Sequence, residues 1–162
     1  MSDAVASPTA LREAALAVVA HLHGLRVNEL RLEPPESGHE LLDTLRFGLD
    51  LERLDMERQF MPALKRAEVA LAGGLAVERY LDARTEAGEA EAIAGAILER
   101  LCDSERQQET LHAFVRCRLL DLLDAPVNRA MIEELAAQLD VEGALDRDQF
   151  MLVTLRTVKL PL

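Results

Sequence analysis

The stretch Leu11 to Val27, LREAALAVVAHLHGLRV, is apolar almost all the way round a helix, yet Arg12 and Glu13 sit side by side near its start. A carboxylate held in apolar surroundings is a candidate general base or metal ligand, and a buried charge must be paired or it neutralises. The helix N-terminus favours Glu13 through the dipole and does nothing for Arg12. Other groups able to do chemistry are scattered. His21 and His23 stand two apart, so a helix points them to different sides and they cannot chelate one ion. His39 falls in a turn and His112 in a distant helix. Cys102 and Cys117 make no CxxC, and His112 lies five residues before Cys117, on another helical face. The two thiols therefore read as reduced and structural. The carboxylates from Glu86 to Glu105 interleave with apolar residues, as on a solvated helix face.

The elements that must position these residues are mostly helices. Ser7 is placed to cap a first helix, with Pro8 at its first turn and Gly24 as its stop after about His23. Leu11, Ala14, Ala15, Val18 and Leu22 form one stripe, which Leu16, Val19, Ala17 and Ala20 widen into a core helix. Val27 to Leu32 reads as a short strand. Leu41 to Phe47 is compatible with strand or helix, and its place after a strand and a turn favours a second strand in a hairpin. From Leu51 the pattern is helical. Pro62 starts or kinks a helix to about Asp82, and Gly73-Gly74 inside it costs about 1 kcal/mol per glycine unless something approaches closely. Further helices cover about Ala87–Leu101 and Glu105–Leu123, the latter with Leu111, Phe114, Val115, Leu119 and Leu122 on one side. The next begins near Pro126, buries Ile132, Leu135, Ala136 and Leu139, and ends at Gly143. Asp146 caps a last helix, with Leu145 and Phe150 placed as a hydrophobic staple.

The chain has 162 residues, enough for one domain with one core: a loose segment 1–7, then a single domain 8–162. Apolar residues make up 49% and aromatics only 3%, so Leu, Ala, Val and Ile must fill the core, which favours helices. A net charge of −11 argues against nucleic acid and against an anionic membrane surface. The N-terminus lacks the basic and apolar regions of a signal peptide, and the run from Ala14 to Leu25 is broken by histidines and too short to span a bilayer. No GxxxxGK[ST] is present, so no P-loop for ATP is expected. These features together lead us to expect a soluble, cytoplasmic protein.

At Arg12 the residues resemble a family. REAALAVVAHLHGLRV is similar to the zinc helix of FtsH-type ATP-dependent metalloproteases, which reads HEAGHAVV. In HExxH two histidines on one helix face hold Zn²⁺ and the glutamate activates the metal-bound water. Here Arg12 and Leu16 stand at the histidine positions and only Glu13 is kept. Arg offers no lone pair and Leu no ligand atom. ALAGGLAVERYL, Ala70 to Leu81, resembles the family's LGGRAAEE segment, with Leu71, Gly73, Gly74, Ala76 and Glu78 in register. EAGEAEAIAGAI, Glu86 to Ile97, is similar to GASNDIERAT, whose Asp is the third ligand. That places Glu89 at the ligand position, with Glu86 and Glu91 as alternatives. The tail Val127 to Phe150 resembles the C-terminal helices of small stand-alone relatives.

The resemblance spans about residues 8–150. It implies a mainly α, zincin-like peptidase domain, a helical bundle with a small β-hairpin. The family normally carries an ATPase domain and membrane helices upstream, and neither is present in this sequence. With its ligands replaced, the domain is expected to hold no zinc and no other cofactor. It is expected to act as a catalytically inactive pseudopeptidase, a binding or regulatory module whose partner is a protein or a second copy of itself. The vestigial site comprises Arg12, Glu13, Leu16 and Glu89, with an Arg12–Glu89 salt bridge where the metal once sat. The alternative is a hydrolase that uses a relocated metal or none, with Glu13 as base.

Overall fold

The computed structural model describes residues 5–34, 36–46 and 56–158. Among these residues it holds seven helices and one two-stranded sheet. The first helix, α1 (Pro8–Leu22), starts as its residues dictate. The Ser7 hydroxyl accepts from the Ala10 amide at 3.2 Å, and Pro8 occupies the first turn. Ser7 is itself tied to the Asp140 carboxylate by its amide and its hydroxyl. Gly24 follows at φ +77°, a left-handed conformation that ends the helix cheaply only for glycine. Ala10, Leu11 and every residue from Ala14 to Ala20 are buried, whereas Leu22 is 42% exposed and leaves the expected stripe.

A helix buried all round must be covered on several sides, and α1 lies between α3 (Met56–Leu81) and α6 (Pro126–Glu142). On its far side α3 packs against α4 (Glu89–Arg100) and α5 (Glu105–Asp124). Pro62 lies inside α3 and does not start it, so one backbone hydrogen bond of that helix is missing there. Of the expected face of α5, Val115 and Leu119 are buried and Leu111 and Leu122 pack against the core, whereas Phe114 is 50% exposed and Leu123 is buried as well. In α6, Ile132, Leu135, Ala136 and Leu139 are all buried, as their spacing requires.

The expected hairpin is replaced by a different pairing. Strand β1 (Glu29–Arg31) runs antiparallel to β2 (Ala144–Asp146), with Leu30 opposite Leu145 and both buried. The segment expected as a second strand is instead α2 (Glu40–Arg46); Phe47 lies outside the described residues. Leu41, Leu42 and Leu45 share one helical face and are buried, and the charges suit the dipole: Glu40 and Asp43 come first, Arg46 last. Gly143, at φ +76°, turns the chain from α6 into β2. Asp146 and Gln149 then exchange backbone-to-side-chain bonds of 2.9 Å at the start of α7 (Arg147–Val158). Leu145 and Phe150 are both buried, as a staple there requires.

Candidate functional site

Arg12 and Glu13 leave α1 for different neighbours, and the two resulting pairs make up the candidate site. The Arg12 guanidinium donates to Glu91 Oε1 at 2.9 Å. The expected partner Glu89 does not meet Arg12; it pairs with Arg46 at the surface. The reason lies in the start of α4. Glu91 is the third residue of that helix, and its Oε2 accepts from the Gly88 amide at 2.9 Å, the reach-back of a capping box. That bond turns the other oxygen inward to Arg12, while Glu89 stays on the outside.

The pair rests on the two glycines of α3. A Cβ on Gly73 would stand 2.6 Å from Arg12 Cγ and 2.9 Å from its carbonyl oxygen, and one on Gly74 would stand 2.6 Å from Glu91 Oε1. The glycine pair is thus the close approach that its cost demanded. Leu16 also borders Gly73, and its side chain is in the core at 1% exposure. The three positions matched to zinc ligands therefore present one guanidinium, one alkyl chain and one carboxylate. This donor set does not fit zinc, because only the carboxylate offers a lone pair. Among the described residues no three His, Cys, Asp or Glu side chains are placed to share a metal ion.

Glu13 faces the other way, into an open cleft of about 750 Å³. Its Oε2 lies 2.7 Å from His39 Nε2. His39 caps α2, its Nδ1 accepting from the Leu42 amide at 3.3 Å. That bond places the ring proton on Nε2, so the imidazole donates to Glu13 and both of its nitrogens are engaged. The bond to Glu13 raises the His39 pKa above its ordinary 6.5; burial opposes the rise, and the Glu13 charge, the residue's own carbonyl and Glu89 add to it. Across the cleft, Arg31 pairs with Glu29, and Arg66, whose burial lowers its pKa, donates to the Thr44 carbonyl at 2.6 Å. The sequence singled out Glu13 as a candidate base. Its histidine partner was legible only in part: His39 stands just before an apolar pair at helical spacing, a capping position.

A second carboxylate–imidazole contact lies at the far end of α1. Glu68 on α3 is completely buried, with His23 Nε2 at 2.6 Å and Arg118 Nε at 2.7 Å. Neither contact has hydrogen-bonding orientation, so both Glu68 oxygens lack a donor among the described residues. Sequence reasoning missed this group entirely. His21 is elsewhere, edge-on to the Phe150 ring, so the two histidines of α1 do diverge. Cys102 and Cys117 are free thiols. No helix among the described residues is long and apolar enough to cross a membrane. No protein-family model and no curated protein sequence matches this chain.

Proposed function

We propose that the chain is a catalytically inactive relative of FtsH-type peptidase domains that works by binding a protein partner or a second copy of itself. The observation that carries this reading is the Arg12–Glu91 pair on its glycine seat. Arg12 stands at the first histidine position of the resemblance, and the carboxylate it bonds, Glu91, is one of the alternatives for its third ligand. The buried Leu16 at the second histidine position supports the same conclusion. Catalysis by Glu13 would need an activated water, and its nearest polar neighbour, His39, has both nitrogens spent on Glu13 and Leu42. What remains is a cleft with a shielded carboxylate at its floor and mixed charge on its walls, suited to recognising a polar segment of a partner.

The hydrolase alternative keeps Glu13 as base, and the open cleft around that carboxylate is what favours it. One experiment separates the two. Purified protein is analysed for bound metal and assayed on casein and generic peptides, with and without EDTA. The expected result is no stoichiometric metal and no turnover. Chelator-sensitive cleavage that Glu13→Gln abolishes would overturn the inactive reading.

A further inference from the structure

Donors and acceptors around the cleft are out of balance. Each of its cations is already held: Arg31 by Glu29 and Arg66 by the Thr44 carbonyl, while both nitrogens of His39 are engaged by Glu13 and the Leu42 amide. Its carboxylates are only half used. Glu13 spends Oε2 on His39 and Glu40 spends Oε1 on Asn28, so Glu13 Oε1 and Glu40 Oε2 accept no bond among the described residues. Asp43 turns Oδ1 toward Arg46 at 3.7 Å and keeps Oδ2 unbonded. That second oxygen lies beside Gly38, where a Cβ would stand 3.3 Å from it, so the glycine leaves room in front of it. The charges sit at two depths. Glu13 is at the floor with its side chain 14% exposed, whereas Glu40 and Asp43 are far more open to solvent. Leu41 and Pro34 supply an apolar part of the wall.

We propose that the cleft takes a lysine or arginine side chain presented by a partner polypeptide, with the cationic head on Glu13 Oε1 and the aliphatic stem against Leu41 and Pro34. The inference rests on the cleft being the binding site of the proposed function, and it names the chemistry that site selects. A carboxylate at the floor attracts a cation more strongly than one in open water, because solvent screens the pair less. An ammonium or guanidinium head brings only donors, three or five of them, to a cleft whose spare polar atoms are acceptors. A carboxylate-bearing side chain meets the opposite: Glu13, Glu40 and Asp43 repel it, and the arginines that could receive it are already bonded. The stem of lysine or arginine also covers apolar wall that a small inorganic cation would leave wet. At about 750 Å³ the cleft exceeds one side chain and leaves room for the residues on either side of it, which favours a polypeptide over a free amine.

The test is a titration of the full, unmodified chain with the blocked tripeptides Ala-Lys-Ala and Ala-Arg-Ala, at about 0.15 M salt to screen the acidic surface, read by the backbone amide signals. The shifts are expected to concentrate at Glu13, Gly38, His39 and Asp43. Peptides with norleucine or glutamate at the centre are expected to bind about tenfold more weakly, since norleucine keeps the stem and loses the charge. Glu13→Gln is expected to weaken the lysine peptide about tenfold, whereas Glu99→Gln, at an exposed position of α4, is expected to leave it unchanged. Shifts spread over the whole acidic surface, a norleucine peptide that binds equally well, a glutamate peptide that binds more tightly, or n-butylammonium that binds as tightly as the lysine peptide would each overturn the assignment. The peptide comparison needs no variant, so it decides the matter even where Glu13→Gln does not fold. A neutral or acidic peptide held in the cleft would strike the cation and leave the cleft a binding site, and the metal and turnover assays judge the inactive reading separately.

Discussion

α1 carries one carboxylate–imidazole pair at each end, and the two differ in almost everything but chemistry. At the N-terminal end Glu13 meets His39 in an open cleft, with side chains 14% and 17% exposed and every ring nitrogen satisfied. At the C-terminal end His23 meets Glu68 in the interior, where the carboxylate has no exposure and no hydrogen bond in good orientation, only two short contacts to nitrogen. The first pair joins α1 to the start of the short helix α2, beside the cleft. The second braces three packed helices, α1, α3 and α5, through Arg118. Residue types and distances alone do not distinguish a site from a brace. Solvent access, and whether each polar atom finds a well-oriented partner, decide it.

The comparison breaks first at Glu68. Glu68→Ala strands His23 and Arg118 around a cavity, and it is expected to cost about 3 kcal/mol or more in chemical denaturation. A loss under about 1 kcal/mol would mean that the interior pair braces nothing. Next comes the glycine seat of the Arg12–Glu91 pair. Gly73→Ala gains helix propensity, but its Cβ collides with the Arg12 backbone carbonyl at 2.9 Å, which cannot swing away. A net loss of about 1–3 kcal/mol is expected, whereas a stabilised variant would show that the helices do not pack this closely. Arg12→Ala should cost less, about 1 kcal/mol, since both partners keep some solvent contact and Glu91 can turn to water.

The smallest effect is the most informative about the cleft. Because the folded His39 pKa is raised, its pairing with Glu13 stabilises the protein fully below pH 6.5 and fades as pH climbs through the raised value. Glu13→Gln is therefore expected to lower Tm by a degree or two at mildly acidic pH, on the order of 0.5 kcal/mol, and by less at mildly alkaline pH. The difference between the two pH values is the quantity to read. An equal loss at both would remove His39 from the account.

Local rules carried much of the fold. Ser7, Pro8, Gly24, Gly143 and the Asp146–Gln149 box act within four residues of themselves, so the sequence alone shows where those helices begin and end. The partner of β1 was not legible, because β2 lies more than a hundred residues away and is three residues long, too short for a pattern. The hairpin expectation then forced α2 into a strand, although Leu41, Leu42 and Leu45 and the charge order from Glu40 to Arg46 already had a helix's spacing. At the site, a close approach at the glycine pair was readable, but that Arg12 makes it, and the choice of Glu91 over Glu89, were not. That choice turns on which oxygen the Gly88 amide claims at the start of α4. Glu68 was invisible for the same reason: its burial is set by three helices meeting, and no spacing along one of them records it.

The claim that the Arg12–Glu91 pair stands where a zinc ion was held is tested most directly by putting the ligands back. An Arg12→His/Leu16→His double variant is titrated with zinc by calorimetry beside the unmodified protein, after circular dichroism has shown both to be folded. The account expects one zinc per chain in the double variant, lost again when Glu91→Gln is added, and none in the unmodified protein. A folded double variant that takes up no zinc, or an unmodified chain that binds it equally well, would contradict the account.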